Sequence, residues 1–314
     1  MSSTLREALR EYLALRRSLG FKMQEASRVL PRFVAFMDER QAPHITTQLA
    51  LEWALQAKTV KPAERARRLG FIRGFARFRS ATHPLTEVPS PELLPYVSTR
   101  ARPYLYTDQD VRGLLEAALQ LSTRWPATPL RPWVFHCLLG LLSVTGLRIS
   151  EALDLKLDDV DLQQGLLTIR AAKLGRWRLV PLHPSATSVL LHYLRQRKQF
   201  LGERCSDYVF VSNRGTRLDR GRVTRVFYAL SRQTGLRAPG VRNGPRLHDF
   251  RHCFAVRVLT RWYESGEDPA RRLPALSTYL GHVCVAATYW YLSNSPELMA
   301  QAMARLERRW GGSP

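Results

Sequence analysis

The stretch Arg246-Leu247-His248-Asp249-Phe250-Arg251-His252-Cys253-Phe254-Ala255-Val256-Arg257 organises the reading of this 314-residue chain. The apolar positions Leu247, Phe250, Phe254 and Val258 recur at three- and four-residue steps, which predicts a helix. On it His248 and Arg251 project from one face. A permanently charged guanidinium then stands beside a group that gives or takes a proton near neutral pH. That pairing suits an oxyanion whose charge changes during reaction, a phosphate above all. Taken alone, the stretch fits equally a surface arginine near a helix-start histidine.

Three further stretches change the balance. Thr145-Gly146-Leu147-Arg148-Ile149-Ser150-Glu151 lies upstream. Leu280-Gly281-His282 lies downstream, with Tyr291 nine residues after the histidine. Between them Lys173 sits in Ala171-Ala172-Lys173-Leu174-Gly175-Arg176-Trp177-Arg178-Leu179-Val180-Pro181. This set, in this order, resembles the tyrosine recombinase, or phage integrase, family, which includes the Xer recombinases. The resemblance covers roughly residues 105–295, and its specificity comes from joint order and spacing.

The resemblance implies a mainly α fold with a small β-hairpin: an N-terminal helical core-binding domain, then an α+β catalytic domain of the integrase type. It implies that Arg148 and Arg251 grip a phosphate and that His248 and His282 serve it. Lys173 would protonate the leaving oxygen, and Tyr291 would attack phosphorus. It implies neither metal nor cofactor. The implied partners are double-stranded DNA recombination sites and further copies of the chain, a tetramer on DNA. Helper proteins, and the choice among integration, excision, inversion and transposition, are not legible.

The chain departs from the family pattern around Lys173, where more glycine is usual. Arg176 and Arg178 stand near it, but arginine, with a pKa above about 12, is a poor proton donor. Tyr279 and Tyr289 lie near Tyr291, and only the separation from His282 favours Tyr291. His252 and His183 read as structural. Two other functions compete: a relaxing type IB topoisomerase, and a DNA-binding accessory protein without chemistry.

Bulk properties agree with a polyanion partner. The net charge is +22, from 48 Lys+Arg against 26 Asp+Glu, though membrane surfaces and ribosomes are polyanionic too. Hydrophobic residues make up 45%, enough for packed domains. No apolar run reaches the ~18 residues of a membrane span, and the charged N-terminus lacks a signal-peptide core. A cytoplasmic, DNA-associated protein with no membrane contact is expected. Cys137, Cys205, Cys253 and Cys284 are scattered, with no metal or disulfide spacing.

In order, helices are expected over residues 4–19, 24–40, 48–57 and from Pro62 onward, forming a domain over 1–82. The fourth helix alternates Arg65, Arg68, Arg73 and Arg77 with apolar residues, so one face can pack while another meets phosphate. A proline-rich linker, 83–103, carries Arg100 and Arg102 as backbone contacts. The catalytic domain, 104–314, opens on a cap at Thr107. A hairpin follows over 165–170 and 177–182, with Arg176 in its turn, and then a short strand, Tyr208–Val211. A basic helix over 220–235 offers Arg220, Arg222 and Arg225 to DNA. Residues 264–274 read as a loop, and a last helix, 296–310, as a partner-contact element with an apolar face.

Overall fold

The computed structural model describes residues 4–56, 60–96, 102–122, 130–170, 177–202, 206–241, 244–282, 284–293 and 296–310. The chain divides into two compact units, Met1–Ala101 and Arg102–Pro314.

The first unit is four helices: α1 (Leu5–Ser18), α2 (Ala26–Glu39), α3 (Thr47–Leu55) and α4 (Pro62–Ser80). Thr4 and Glu7 close a capping box on α1, and the Thr46 hydroxyl accepts from Leu49 N–H to cap α3. The apolar stripes meet in one core built on Leu9, Leu30, Phe33, Met37, Leu69, Ile72 and Phe75. Pro31 sits inside α2 without ending it. Burial of Leu30, Phe33, Val34 and Met37 around it outweighs the one lost hydrogen bond.

The second unit holds nine helices and a three-stranded sheet among its described residues. They run α5 (Asp108–Leu119), α6 (Leu130–Thr145), α7 (Ile149–Asp154), β1 (Val160–Asp161), β2 (Leu166–Arg170), β3 (Trp177–Pro181) and α8 (Pro184–Leu201). Then come α9 (Arg220–Gln233), α10 (Leu247–Glu264), α11 (Pro269–Leu280), α12 (Ala286–Ser293) and α13 (Pro296–Trp310). The strands are antiparallel in the order β1-β2-β3. Leu167 pairs with Val180 and Ile169 with Arg178, so these four share the face turned to the core. Trp177 and Leu179 point the other way. The mainly helical fold with a small sheet is the expected class.

The structure corrects three local expectations. Tyr208–Val211 is extended but pairs in no ladder beyond two isolated bridges. Its polar groups go elsewhere: the Arg197 guanidinium donates to Tyr208 O (2.9 Å), Tyr193 Oη donates to Val209 O (2.9 Å), and Val209 N–H donates to Leu155 O (2.8 Å). Residues 264–274 are not one loop. Helix α11 starts at Pro269 and runs through Pro274, because Leu273 and Leu276 must be buried. The last helix does belong to the catalytic fold: Leu298, 1% exposed, joins the core of Val256, Leu259 and Leu276. Met299 and Met303 are its exposed large apolar side chains among the described residues.

Candidate active site

The site forms where three backbone turns converge. The first joins α6 to α7. Gly146 takes φ +62° there, and a Cβ at this position would lie 2.7 Å from the Phe254 ring, so the turn can approach α10 only as glycine. The turn leaves Arg148 as the N-cap of α7. Its guanidinium donates to Glu151 Oε1 (2.8 Å), Leu280 O (3.3 Å) and Gly281 O (3.1 Å).

The second element is the start of α10. Asp249, buried, accepts from Arg246 N–H and closes the cap. One turn in, Arg251 is 1% exposed and donates to Gly146 O (3.0 Å) and to Leu280 O. Arg148 and Arg251 thus meet at one carbonyl oxygen. Burial, then the neighbouring Arg148 charge, pushes the Arg251 pKa down from its ordinary value. Two guanidinia held this close repel, and an anion placed between them relieves the repulsion. His248 is exposed at the same helix end. Its pKa is lowered by the surrounding protein, then by Arg251.

The third turn ends α11 at Gly281 (φ +66°). His282 follows, with Nδ1 2.8 Å from the Thr288 hydroxyl. Burial, then Arg251 and Arg148, pushes its pKa down to about 4, so the imidazole is neutral at pH 7. From α12, Tyr291 reaches back: it is 4% exposed, stacks on His282 at 5.8 Å, and lies against the Arg251 guanidinium. Tyr289 is 52% exposed on the same helix. The structure therefore brings together Arg148, His248, Arg251, His282 and Tyr291. Lys173, Arg176 and Arg100 lie outside the described residues.

Residues 109–297 match the phage integrase family. The chain is also 54% identical, over 309 residues, to the putative integrase/recombinase y4rB of Sinorhizobium fredii, covering 98% of each. The chain belongs to the phage integrase family. This integrase is a tyrosine-type site-specific recombinase. It is 32% identical over 249 residues to tyrosine recombinase XerD of Caulobacter vibrioides, covering 78% of this chain and 75% of that one. Its fold matches that of the Tn1549 transposon integrase solved with transposon right end DNA, at TM-score 0.62 and 15% identity, covering 96% and 98%.

Two residues of the integrase site were undervalued by sequence reasoning. Arg178 donates through Nε to Tyr279 O (2.6 Å) and through both terminal nitrogens to Glu151 (3.1 and 2.8 Å). Burial alone would raise the Glu151 pKa, but hydrogen bonds and charge from Arg178, then Arg148, hold it low. His252, 1% exposed, packs edge-on against Trp290 (4.9 Å) and tilted against Tyr291 (4.9 Å). Neither of its ring nitrogens meets a hydrogen-bond partner among the described residues.

Burial pushes the His252 pKa down to about 4. An unfolded histidine, with a pKa near 6.5, binds protons that the folded one refuses. Stability should therefore fall as pH drops through the window from about 6.5 to 4. His252→Leu should flatten the decline in melting temperature between pH 7 and pH 4.5. An unchanged decline in that variant would remove His252 as a cause.

The basic residues assigned to DNA divide by environment. Arg68 stacks over Trp53 at 4.0 Å, and Arg73 donates to Pro89 O and Ser90 O, both at 2.8 Å. Both side chains have structural duties, and Arg73 ties the proline-rich stretch to α4. Arg65 is half-buried. Arg77, Arg102, Arg220, Arg222 and Arg225 are exposed.

Proposed function

We propose that this integrase cleaves and rejoins double-stranded DNA through a covalent phosphotyrosyl intermediate on Tyr291. The observation that carries the reading is the buried cluster in which the Tyr291 phenol lies against Arg251, with Arg148 meeting Arg251 at Leu280 O. A phosphodiester carries one negative charge, and attack adds charge in a pentacoordinate transition state. Arg148 and Arg251 exchange backbone carbonyls for the two non-bridging oxygens, to which guanidinium forks are matched. The Tyr291 oxygen forms a bond to phosphorus while the bond to the 5′ oxygen breaks. Lys173 protonates that leaving oxygen, and His248 and His282 supply hydrogen bonds or proton transfer around the centre, one of them taking the phenol proton as Tyr291 attacks. Attack by another 5′-hydroxyl reverses the steps and exchanges strands, so the bond energy is conserved without nucleotide.

Arg77, Arg102, Arg220, Arg222 and Arg225 are the exposed cations best suited to the phosphate backbone. Arg65, Arg100 and Arg176 join them in this reading, with Arg68 and Arg73 in a supporting place. The tetramer on paired sites is part of the same proposal. The solved Tn1549 integrase carries transposon DNA, and a lambda integrase of similar fold is a tetramer on a Holliday junction. The mass of the complex on a two-site duplex measures the assembly. A cytoplasmic, DNA-associated location completes the reading, and fluorescence of a tagged chain over the nucleoid checks it.

A pool of nicked duplexes with a randomised core tests the function whatever the target sequence. Selection for covalent complexes should enrich one core sequence, and adduct should form equally in EDTA. No group of three metal-ligating side chains occurs among the described residues, and here the arginines neutralise the charge. On the enriched core, Lys173→Ala should cleave slowly, and sulfur at the 5′-bridging position, which leaves without a proton, should restore it. Strict magnesium dependence, or no enrichment, would contradict the mechanism.

A further inference from the structure

We propose that Arg178 is a positioning residue that sets the phosphate-binding geometry of Arg148 and the turn bearing His282; this rests on the proposed role of Arg148. The strand register turns Arg178 inward, paired with Ile169 and on the same face as Val180, while Trp177 stands 67% exposed. A buried guanidinium on a sheet face is costly unless every donor is used. Here one guanidinium joins three segments. Its terminal nitrogens grip both carboxylate oxygens of Glu151 on α7, and Nε holds Tyr279 O at the end of α11.

Both connections lead to catalytic geometry. Glu151 shares its two oxygens with Arg148, one taking the Arg148 backbone N–H (2.9 Å) and the other its guanidinium (2.8 Å). Glu151 is therefore a bridge, and Arg178 fixes its orientation. The Tyr279 carbonyl lies just before Leu280 O and Gly281 O, the acceptors that Arg148 uses. Gly281 is part of the same fit, since a Cβ there would lie 2.8 Å from the Arg178 guanidinium. Arg178 also sits on the strand that follows Lys173 in the chain, so it ties that strand to the turn carrying His282. Without Arg178, Glu151 keeps Arg148 alone as a partner among the described residues. Arg148 then holds an under-compensated carboxylate and is withheld from phosphate.

The test uses the full chain and the core sequence enriched from the randomised pool. Cleavage is compared on an ordinary phosphate and on a methylphosphonate at the scissile position, which lacks the charge that Arg148 neutralises. Arg148→Ala is the reference: about 10²–10³-fold slower on phosphate and relieved on methylphosphonate. Arg178→Met should lose more than about tenfold on phosphate, with DNA affinity unchanged, and recover on methylphosphonate. Arg178→Lys, which keeps a charge near Glu151 but cannot hold both partners, should show a smaller defect of the same kind. A purely structural role slows both substrates equally, and that outcome in Arg178→Met and Arg178→Lys alike would overturn the proposal. So would cleavage at the wild-type rate in both. If Arg148→Ala itself is not relieved by methylphosphonate, the role of Arg148 fails first, and with it this one.

Discussion

Tyr291→Phe should abolish covalent adduct, a loss of at least about 10⁴-fold, while DNA affinity changes by no more than roughly 1 kcal/mol, the net worth of one hydrogen bond. The asymmetry follows from the surroundings of the ring. Its stacking on His282 and its contact with His252 involve the aromatic face and edge, which phenylalanine keeps. Only the hydroxyl, the group beside Arg251, is lost. Tyr289→Phe is the control, because Tyr289 faces solvent on the same helix and should form adduct normally. Gel separation of protein-linked from free DNA reads both. Adduct persisting in Tyr291→Phe and vanishing in Tyr289→Phe would move the nucleophile two residues.

Arg251→Lys should slow cleavage by about 10²–10³-fold with the charge retained. Arg251 spans Gly146 O and Leu280 O, and it lies against Tyr291 and beside Arg148. An ammonium is a point donor and cannot replace a planar fork at several acceptors. One carbonyl loses its partner, which costs about 1–3 kcal/mol. The melting temperature should drop by about 2–4 °C for each of those kcal/mol. Single-turnover cleavage and thermal unfolding measured on one sample separate the two effects. Wild-type cleavage by Arg251→Lys would mean that the guanidinium serves the fold alone.

The sequence was most legible where one local rule decides. Thr107 announces a helix start by capping, and α1 and α5 show their buried faces as periodic apolar residues. The convergence of Arg148, Arg251, His282 and Tyr291 was legible only through a joint pattern. Their separations in the chain carry no geometry, and the three turns that unite them depend on long-range packing, such as Phe254 against Gly146.

Tertiary burial overrode local rules elsewhere. Pro274 reads as part of a loop but lies within α11, whose Leu273 and Leu276 are needed in a core. In Trp177-Arg178-Leu179, apolar alternation favours the tryptophan and leucine as the inward face. The register reverses this, since Arg178 finds Glu151 and Tyr279 O waiting on the core side. Partners that lie far off in sequence leave no local trace. The arginines of α4 show the converse limit. A one-signed cluster suggests phosphate contact, yet Arg73 is held by two backbone carbonyls and Arg68 by Trp53.

Mapping the covalent bond itself tests directly whether Tyr291 is the nucleophile. Wild-type protein trapped on the selected nicked duplex should be digested with nuclease and protease, and the nucleotide-bearing peptide sequenced by mass spectrometry. A single modified peptide is expected, with the phosphate on the Tyr291 oxygen. Modification of Tyr279, of Tyr289 or of a serine, or a cleaved duplex with no protein attached, would contradict it.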